Sequence, residues 1–196
     1  MNGIKKICLI FVFINMTLLA YCYDFDKIVF NSPYQDIEDF EDFVKKAKKV
    51  GATHINISNS IPLAFWQYDT PGDPYPAWYV MRGNLLKVFP PDPVAKHIPK
   101  DYREKVIEVL EERCKILRKY DLKAYYNSSE PGVLPEAVFT EHPLWRGPKV
   151  DQPMRSNVPR WAPSIDNPEV QELYRKAMAS MLKRYPEIDI FTMLTN

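Results

Sequence analysis

Polar residues gather where short apolar runs end. Asn31 and Ser32 follow Lys27 to Phe30. Ser58, Asn59 and Ser60 close the run from Thr53. Asn127, Ser128, Ser129 and Glu130 follow Lys123 to Tyr126, and Thr195 and Asn196 follow Ile188 to Leu194. Amides, hydroxyls and a carboxylate supply the donors and acceptors that a polyhydroxylated ligand needs, because each of its hydroxyls does both. The same residue types also start turns and cap helices, so the pattern has a structural reading beside the binding one. Asn127 and Glu130 carry the binding reading furthest. Asn31 and Ser58 join them as candidate substrate contacts.

The stretch from Asn59 to Lys100 is too long for a plain connection. It interleaves Phe65, Trp66, Tyr68, Tyr75, Trp78, Tyr79 and Phe89 with prolines. Aromatic faces beside polar groups make platforms for the apolar faces of sugar rings. The competing reading is a satellite core that stiffens the loop. Trp66 and Trp78 are the candidate platforms. Trp145-Arg146 and Arg160-Trp161 offer a further ring and a cation, suited to an acidic sugar or to plain packing of Arg on Trp.

Other chemistries find little support. His54, His97 and His142 lie far apart in no ligand spacing, so no metal and no cofactor is expected. No nucleophile elbow, phosphate loop or deaminase signature occurs. Glycoside cleavage normally uses two carboxylates. Only Glu130 stands at a strand end. Asp166 and Glu169 suit a helix start, and Asp69 and Asp73 lie in a turn-rich loop. The partner carboxylate would have to lie beyond Asn196, or the fragment is inert.

The elements that must position these residues alternate. Expected strands cover 27–31, 53–58, 123–127 and 189–194. Expected helices cover 36–50, 101–119 and 168–185. Ile37, Phe40, Phe43, Val44, Ala47 and Val50 form one stripe, with Gly51 where a C-terminal cap belongs. Ile107, Leu110, Cys114 and Leu117 form a second stripe, which makes Cys114 a buried thiol. Asn167-Pro168-Glu169 opens the last helix as capping residue, proline and first-turn acid. Helix-to-strand turns are tight, and the loops after the second and third strands are long. That asymmetry predicts an α/β fold of the TIM (β/α)8 barrel class, present as an N-terminal half-barrel with about four parallel strands. A doubly wound sheet is the rival, but the first loop, Asn31 to Gln35, contains no glycine.

Residues 1–22 read as a signal peptide. Lys5 and Lys6 precede an apolar run from Ile7 to Ala20 that is short for a membrane span. Leu19-Ala20-Tyr21-Cys22 also resembles a lipoprotein box, which would place a lipid on Cys22. A secreted, periplasmic or cell-surface bacterial protein is expected, at a membrane only if lipidated. Residues 23–196 form the expected barrel half. Without the leader, 24 basic residues stand against 25 acidic ones, since only two of the 26 lysines and arginines lie within it. A near-neutral mixed surface argues against nucleic acid, and no protein partner is evident. Cys8 and Cys22 fall in the leader, so no disulfide framework is available.

Leu122 to Pro131, with Leu134 to Gly147, resembles the third βα unit of secreted bacterial proteins described as glycoside-hydrolase-like barrels. Asn167 to Leu173 and Phe191 to Asn196 are similar to the unit that follows. Better-known relatives of that group are the family 20 β-N-acetylhexosaminidases and the α-glucuronidases. The resemblance spans residues 25–196, the first half of such a barrel, and is poorly specific for substrate. It implies a glycosidase acting on O-glycosidic bonds of oligo- or polysaccharides. In family 20 the acid stands in an Asp-Glu pair ending strand four, where this sequence reads Thr195-Asn196. The resemblance therefore carries no catalytic residue to a position here, and the sequence is expected to be a fragment. A non-catalytic carbohydrate-binding barrel is the alternative.

Overall fold

A computed structural model describes residues 25–33, 36–59, 85–150 and 160–194. Their elements run β1 (Val29–Asn31), α1 (Ile37–Lys49), β2 (His54–Asn56), α2 (Leu85–Val88), α3 (Lys100–Lys119), β3 (Lys123–Ser129), α4 (Glu136–Glu141), β4 (Arg146–Val150), β5 (Arg160–Pro163), α5 (Pro168–Arg184) and β6 (Ile188–Leu194). Single 3-10 turns lie at Val94–His97 and Pro143–Trp145. The four expected strands and three expected helices are all present, with ends shifted by a few residues. The short helices α2 and α4 and the ribbon of β4 and β5 were not expected.

Local chemistry sets the long helices. Asp36 accepts hydrogen bonds from the amides of Glu38 and Asp39, and lysines fill the last turn of α1. Gly51 then takes φ +94°, a conformation that L side chains rarely adopt. Asn167 accepts from the amide of Glu169 ahead of Pro168, so α5 starts where its capping residue and proline indicate.

β1, β2, β3 and β6 form one sheet in that spatial order, every pair parallel. Sequential order without reversal is what distinguishes it from a doubly wound arrangement. The helices gather on one side. Phe40, Val44 and Ala47 of α1, Val106, Leu110 and Leu117 of α3, and Val170, Leu173, Ala177 and Met181 of α5 share one cluster. Ile55, Ile57, Ala124, Tyr126 and Ile188 of the sheet belong to it too. Alternate strand residues point the other way. That second face carries Asn31, Asn56 and Tyr125 in one row, and Asn127 and Thr192 in the next.

β4 and β5 make a small antiparallel ribbon beside this body. A Cβ on Gly147 would lie 2.7 Å from the Ser164 amide nitrogen and 2.8 Å from the Ala162 carbonyl oxygen, so only glycine fits. Among the described residues no helix is long and apolar enough to cross a membrane.

Candidate functional site

The parallel strands bring their C-terminal ends together, and the second face there is a connected polar lattice. Asn56 Nδ2 donates to Asn31 Oδ1 over 2.8 Å. Asn56 Oδ1 accepts from the Ser58 amide and the Ser58 hydroxyl, both at 2.9 Å, and from the Asn59 amide at 3.2 Å. Ser58 Oγ lies 2.8 Å from the Asn127 carbonyl oxygen and 2.9 Å from its amide nitrogen. Thr192 Oγ1 sits 2.6 Å from the Tyr125 hydroxyl and 3.3 Å from Asn127 Oδ1. The expected residues Asn31, Ser58 and Asn127 thus meet in one lattice, joined by Asn56, Tyr125 and Thr192. Asn31 is exposed and Asn127 half-buried, whereas Ser58 is buried and its hydroxyl is engaged on β2 and β3. No carboxylate belongs to this lattice among the described residues.

Arg113 holds the lattice from behind. Fully buried on α3, it donates from Nη1 to the carbonyls of Ile57 at 2.7 Å and Asn59 at 2.5 Å. Its guanidinium lies 4.8 Å from the Phe40 ring centre. Burial lowers its pKa to about 10, still fully charged at neutral pH. Asn59 in turn donates to the Ser32 carbonyl over 2.8 Å, tying the end of β2 to the end of β1.

Glu130 is placed elsewhere. It is 2% exposed on the helix side of the sheet, and its carboxylate accepts four protein hydrogen bonds. The Leu85 amide and the Ser128 hydroxyl reach Oε1, each over 2.6 Å. The Gly132 amide and the Tyr174 hydroxyl reach Oε2, each over 2.9 Å. Four acceptor positions are about what a carboxylate has. The structure therefore does not bring Glu130 and Asn127 to one surface. The pleat sends residues 128 and 130 to the face opposite residue 127. Lys87 is completely buried and feels the charge of Glu130. Desolvation outweighs that attraction and lowers its pKa to about 7.

Of the tryptophan-arginine candidates, Trp145, Arg146 and Trp161 are engaged within the fold. Arg146 pairs with Glu136 and lies 5.3 Å from the Phe139 ring centre and 5.0 Å from that of Trp161. Trp145 is buried, donates to Glu169 over 2.6 Å, and stacks on His142 at 3.8 Å. Arg146 thus serves packing rather than an acidic ligand. Trp66, Trp78, Thr195 and the leader 1–22 lie outside the described residues. Cys114 is buried, with its thiol pushed up to about 12 chiefly by desolvation. Among the described residues no three His, Cys, Asp or Glu side chains group as a metal set.

Sequence reasoning missed Asn56, Tyr125 and Thr192, which sit inside strands. Period-two alternation within Thr53–Ser58 and Lys123–Ser129 would have put them on the Asn31 and Asn127 face. Nothing local signals Arg113 or Lys87.

No protein-family model and no curated protein sequence matches the chain. Among solved structures, it resembles a beta-galactosidase from the psychrophilic Marinomonas ef1 at a TM-score of 0.42 and 14% identity, covering 86% of this chain and 21% of that one. It also resembles a noncanonic maltogenic alpha-amylase from Thermotoga neapolitana at a TM-score of 0.46 and 12% identity, covering 85% and 38%. The chain thus spans well under half the length of either. Superpositions this loose fit many α/β arrangements, so the functional reading rests on the chain's own geometry.

Proposed function

We propose that the chain supplies the first four strands, with the three helices between them, of a (β/α)8 barrel that acts on carbohydrate, with hydrolysis of O-glycosidic bonds as the activity of the complete protein. The observation that carries this reading is the uncharged lattice of Asn31, Asn56, Ser58, Tyr125, Asn127 and Thr192 at the C-terminal ends of sequentially ordered parallel strands. Barrels of this class keep their chemistry at that end. Amides and hydroxyls recognise sugar hydroxyls without the desolvation cost of a buried charge. Glu130 enters as the residue that fixes the strand end; Asn31 and Asn127 are the sugar contacts. Trp66 and Trp78 are the stacking platforms in this reading.

Titration of the purified chain with a panel of neutral oligosaccharides tests the ligand class. Saturable binding that Asn127→Ala weakens supports the proposal. A panel with no binder, together with no release of reducing ends, overturns it. A non-catalytic carbohydrate-binding barrel is the second reading, since the same lattice serves binding alone. Binding without cleavage by the complete protein would select it.

Export belongs to the same proposal. Residues 1–22 would be cleaved as a signal peptide or leave a lipid on Cys22, and the mature bacterial protein would act outside the cytoplasm. Mass spectrometry of native protein tests this. An intact Met1 on a cytosolic chain would refute it.

A further inference from the structure

Tyr125 and Tyr126 are neighbours on β3 and face opposite ways. Tyr126 is fully buried in the core cluster and stacks on Phe191 with ring centres 5.9 Å apart. Tyr125 is half-buried on the polar face and, among the described residues, lies outside that cluster. Its hydroxyl lies 2.6 Å from Thr192 Oγ1. The register, however, sets Ile190 directly across from Tyr125, and Thr192 across from Asn127. The hydroxyl contact therefore runs diagonally, from one row of the pleat to the next on the same face. Thr192 is short, so its hydroxyl stays close to the sheet. A tyrosine standing upright on its strand would carry its own hydroxyl well above that level. To meet Thr192 the ring must lie along the sheet on the β6 side, one face toward the strands and the other turned away from them.

We propose that Tyr125 is a platform on which one pyranose ring of a neutral sugar stacks, in addition to Trp66 and Trp78. The inference rests on the carbohydrate reading above and names the ligand class of that site. The outward face of the ring carries the negative part of the aromatic quadrupole. Its complement is the row of ring C–H hydrogens on the apolar face of a pyranose. Asn127, 3.3 Å from the same Thr192 hydroxyl, sets an amide at the rim of the platform. Asn31 lies in the row of Tyr125, two strands away. These amides suit the hydroxyls that project around the edge of a stacked sugar ring. The lattice is uncharged, so the carboxylate of an acidic sugar would face the ring without a cation from it.

The Thr192 contact also fixes the ring before any ligand arrives, so little side-chain freedom is lost on binding. Plain packing is the competing role. A ring that only covered Ile190 could be replaced by leucine, which fills similar space. Stacking needs an aromatic face and a cyclic sugar, and an acyclic polyol with the same hydroxyls would gain nothing from it.

Calorimetric titration of the 196-residue chain with maltotriose, cellotriose and lactose, and with sorbitol as the acyclic control, tests the platform. The expected result is binding of at least one of the three saccharides and none of sorbitol. Tyr125→Leu should weaken it by about tenfold. Tyr125→Phe keeps the ring but not its anchor and should fall between the two. A second measurement needs no leucine variant. In protein labelled with 3-fluorotyrosine, the Tyr125 fluorine line, identified by its absence in Tyr125→Phe, should move as the sugar is added. Saccharide binding that Tyr125→Leu leaves unchanged, or a Tyr125 line that stays still while calorimetry reports binding, overturns the inference and leaves the carbohydrate reading standing. Sorbitol binding as tightly as the saccharides overturns it too. No binding to any of the three saccharides also overturns it, and the wider oligosaccharide panel then decides the carbohydrate reading separately.

Discussion

Tyr174 donates its hydroxyl to Glu130 over 2.9 Å and so ties the middle of α5 to the end of β3. The same carboxylate holds the first amide of α2 and the turn at Gly132. One side chain thus joins four segments separated by up to 89 positions. Glu130→Ala would leave several buried donors unmatched, and the expected loss is about 3–5 kcal/mol, the range for breaking a buried charged group from its partners. Tyr174→Phe removes one donor and should cost about 1.5–3 kcal/mol. Urea denaturation of both variants checks the order. A Tyr174→Phe protein as destabilised as Glu130→Ala would mean that the other three contacts contribute nothing.

A second polar cluster joins the opposite, N-terminal ends of the strands. Asp189 accepts from Lys27 over 2.7 Å and meets His54 Nε2 at 2.9 Å, while His54 Nδ1 lies 2.7 Å from the Thr53 hydroxyl. Lys27 first and His54 second hold the Asp189 carboxyl down to about 2 from 3.8. A depressed carboxylate stabilises above its unfolded value and loses that contribution as pH falls through the folded one. Unfolding followed between pH 5 and 2 should therefore show Asp189→Asn losing part of the acid dependence between 3.8 and about 2. The effect should shrink in high salt, because Lys27 and Asp189 are both well exposed. An unchanged acid limb in the variant would remove Asp189 from the account.

Gly147 gives a steric test. Backbone atoms of Ala162, Pro163 and Ser164 fill the space a Cβ would need, so Gly147→Ala must push β4 from β5. The expected cost is about 1–3 kcal/mol, as for other forced overpacking. The readout is the denaturation midpoint together with Trp161 fluorescence, since Trp161 is paired to Lys149 across the ribbon. A neutral variant would show that the ribbon relaxes freely.

The repeated strand-helix order was legible because each long helix carries an apolar stripe and two of them carry end signals: Gly51 follows α1, and Asn167 and Pro168 open α5. Sequential strand order followed from the tight helix-to-strand turns. The ribbon was illegible because Arg146-Gly147-Pro148-Lys149 reads as a loop, and its proline is tolerated only because the ribbon is two strands wide. Glu130 was read as a ligand contact from its place after Asn127. Its partners Leu85 and Tyr174 lie 45 and 44 positions away, and no local pattern announces contacts at that range. Arg113 interrupts an apolar stripe as an ordinary surface arginine would, and only the carbonyls it meets set it apart.

Asn127 is the most direct probe of the sugar reading. Its backbone is fixed by Ser58, and its side-chain oxygen faces Thr192, so the side chain is positioned without being part of the apolar core. Asn127→Ala removes an amide that donates to no described group while leaving both backbone contacts intact. Stability should change little, by about 1 kcal/mol for the contact with Thr192. A bound oligosaccharide would lose one neutral hydrogen bond, about 0.5–1.5 kcal/mol and so up to roughly tenfold in Kd. Calorimetric titration of wild type and variant with the best-binding neutral oligosaccharide measures this. Thr192→Val should produce a smaller loss in the same direction, because it frees Asn127 Oδ1 without removing it. Unchanged affinity in Asn127→Ala, with the fold intact, would take the ligand off this face.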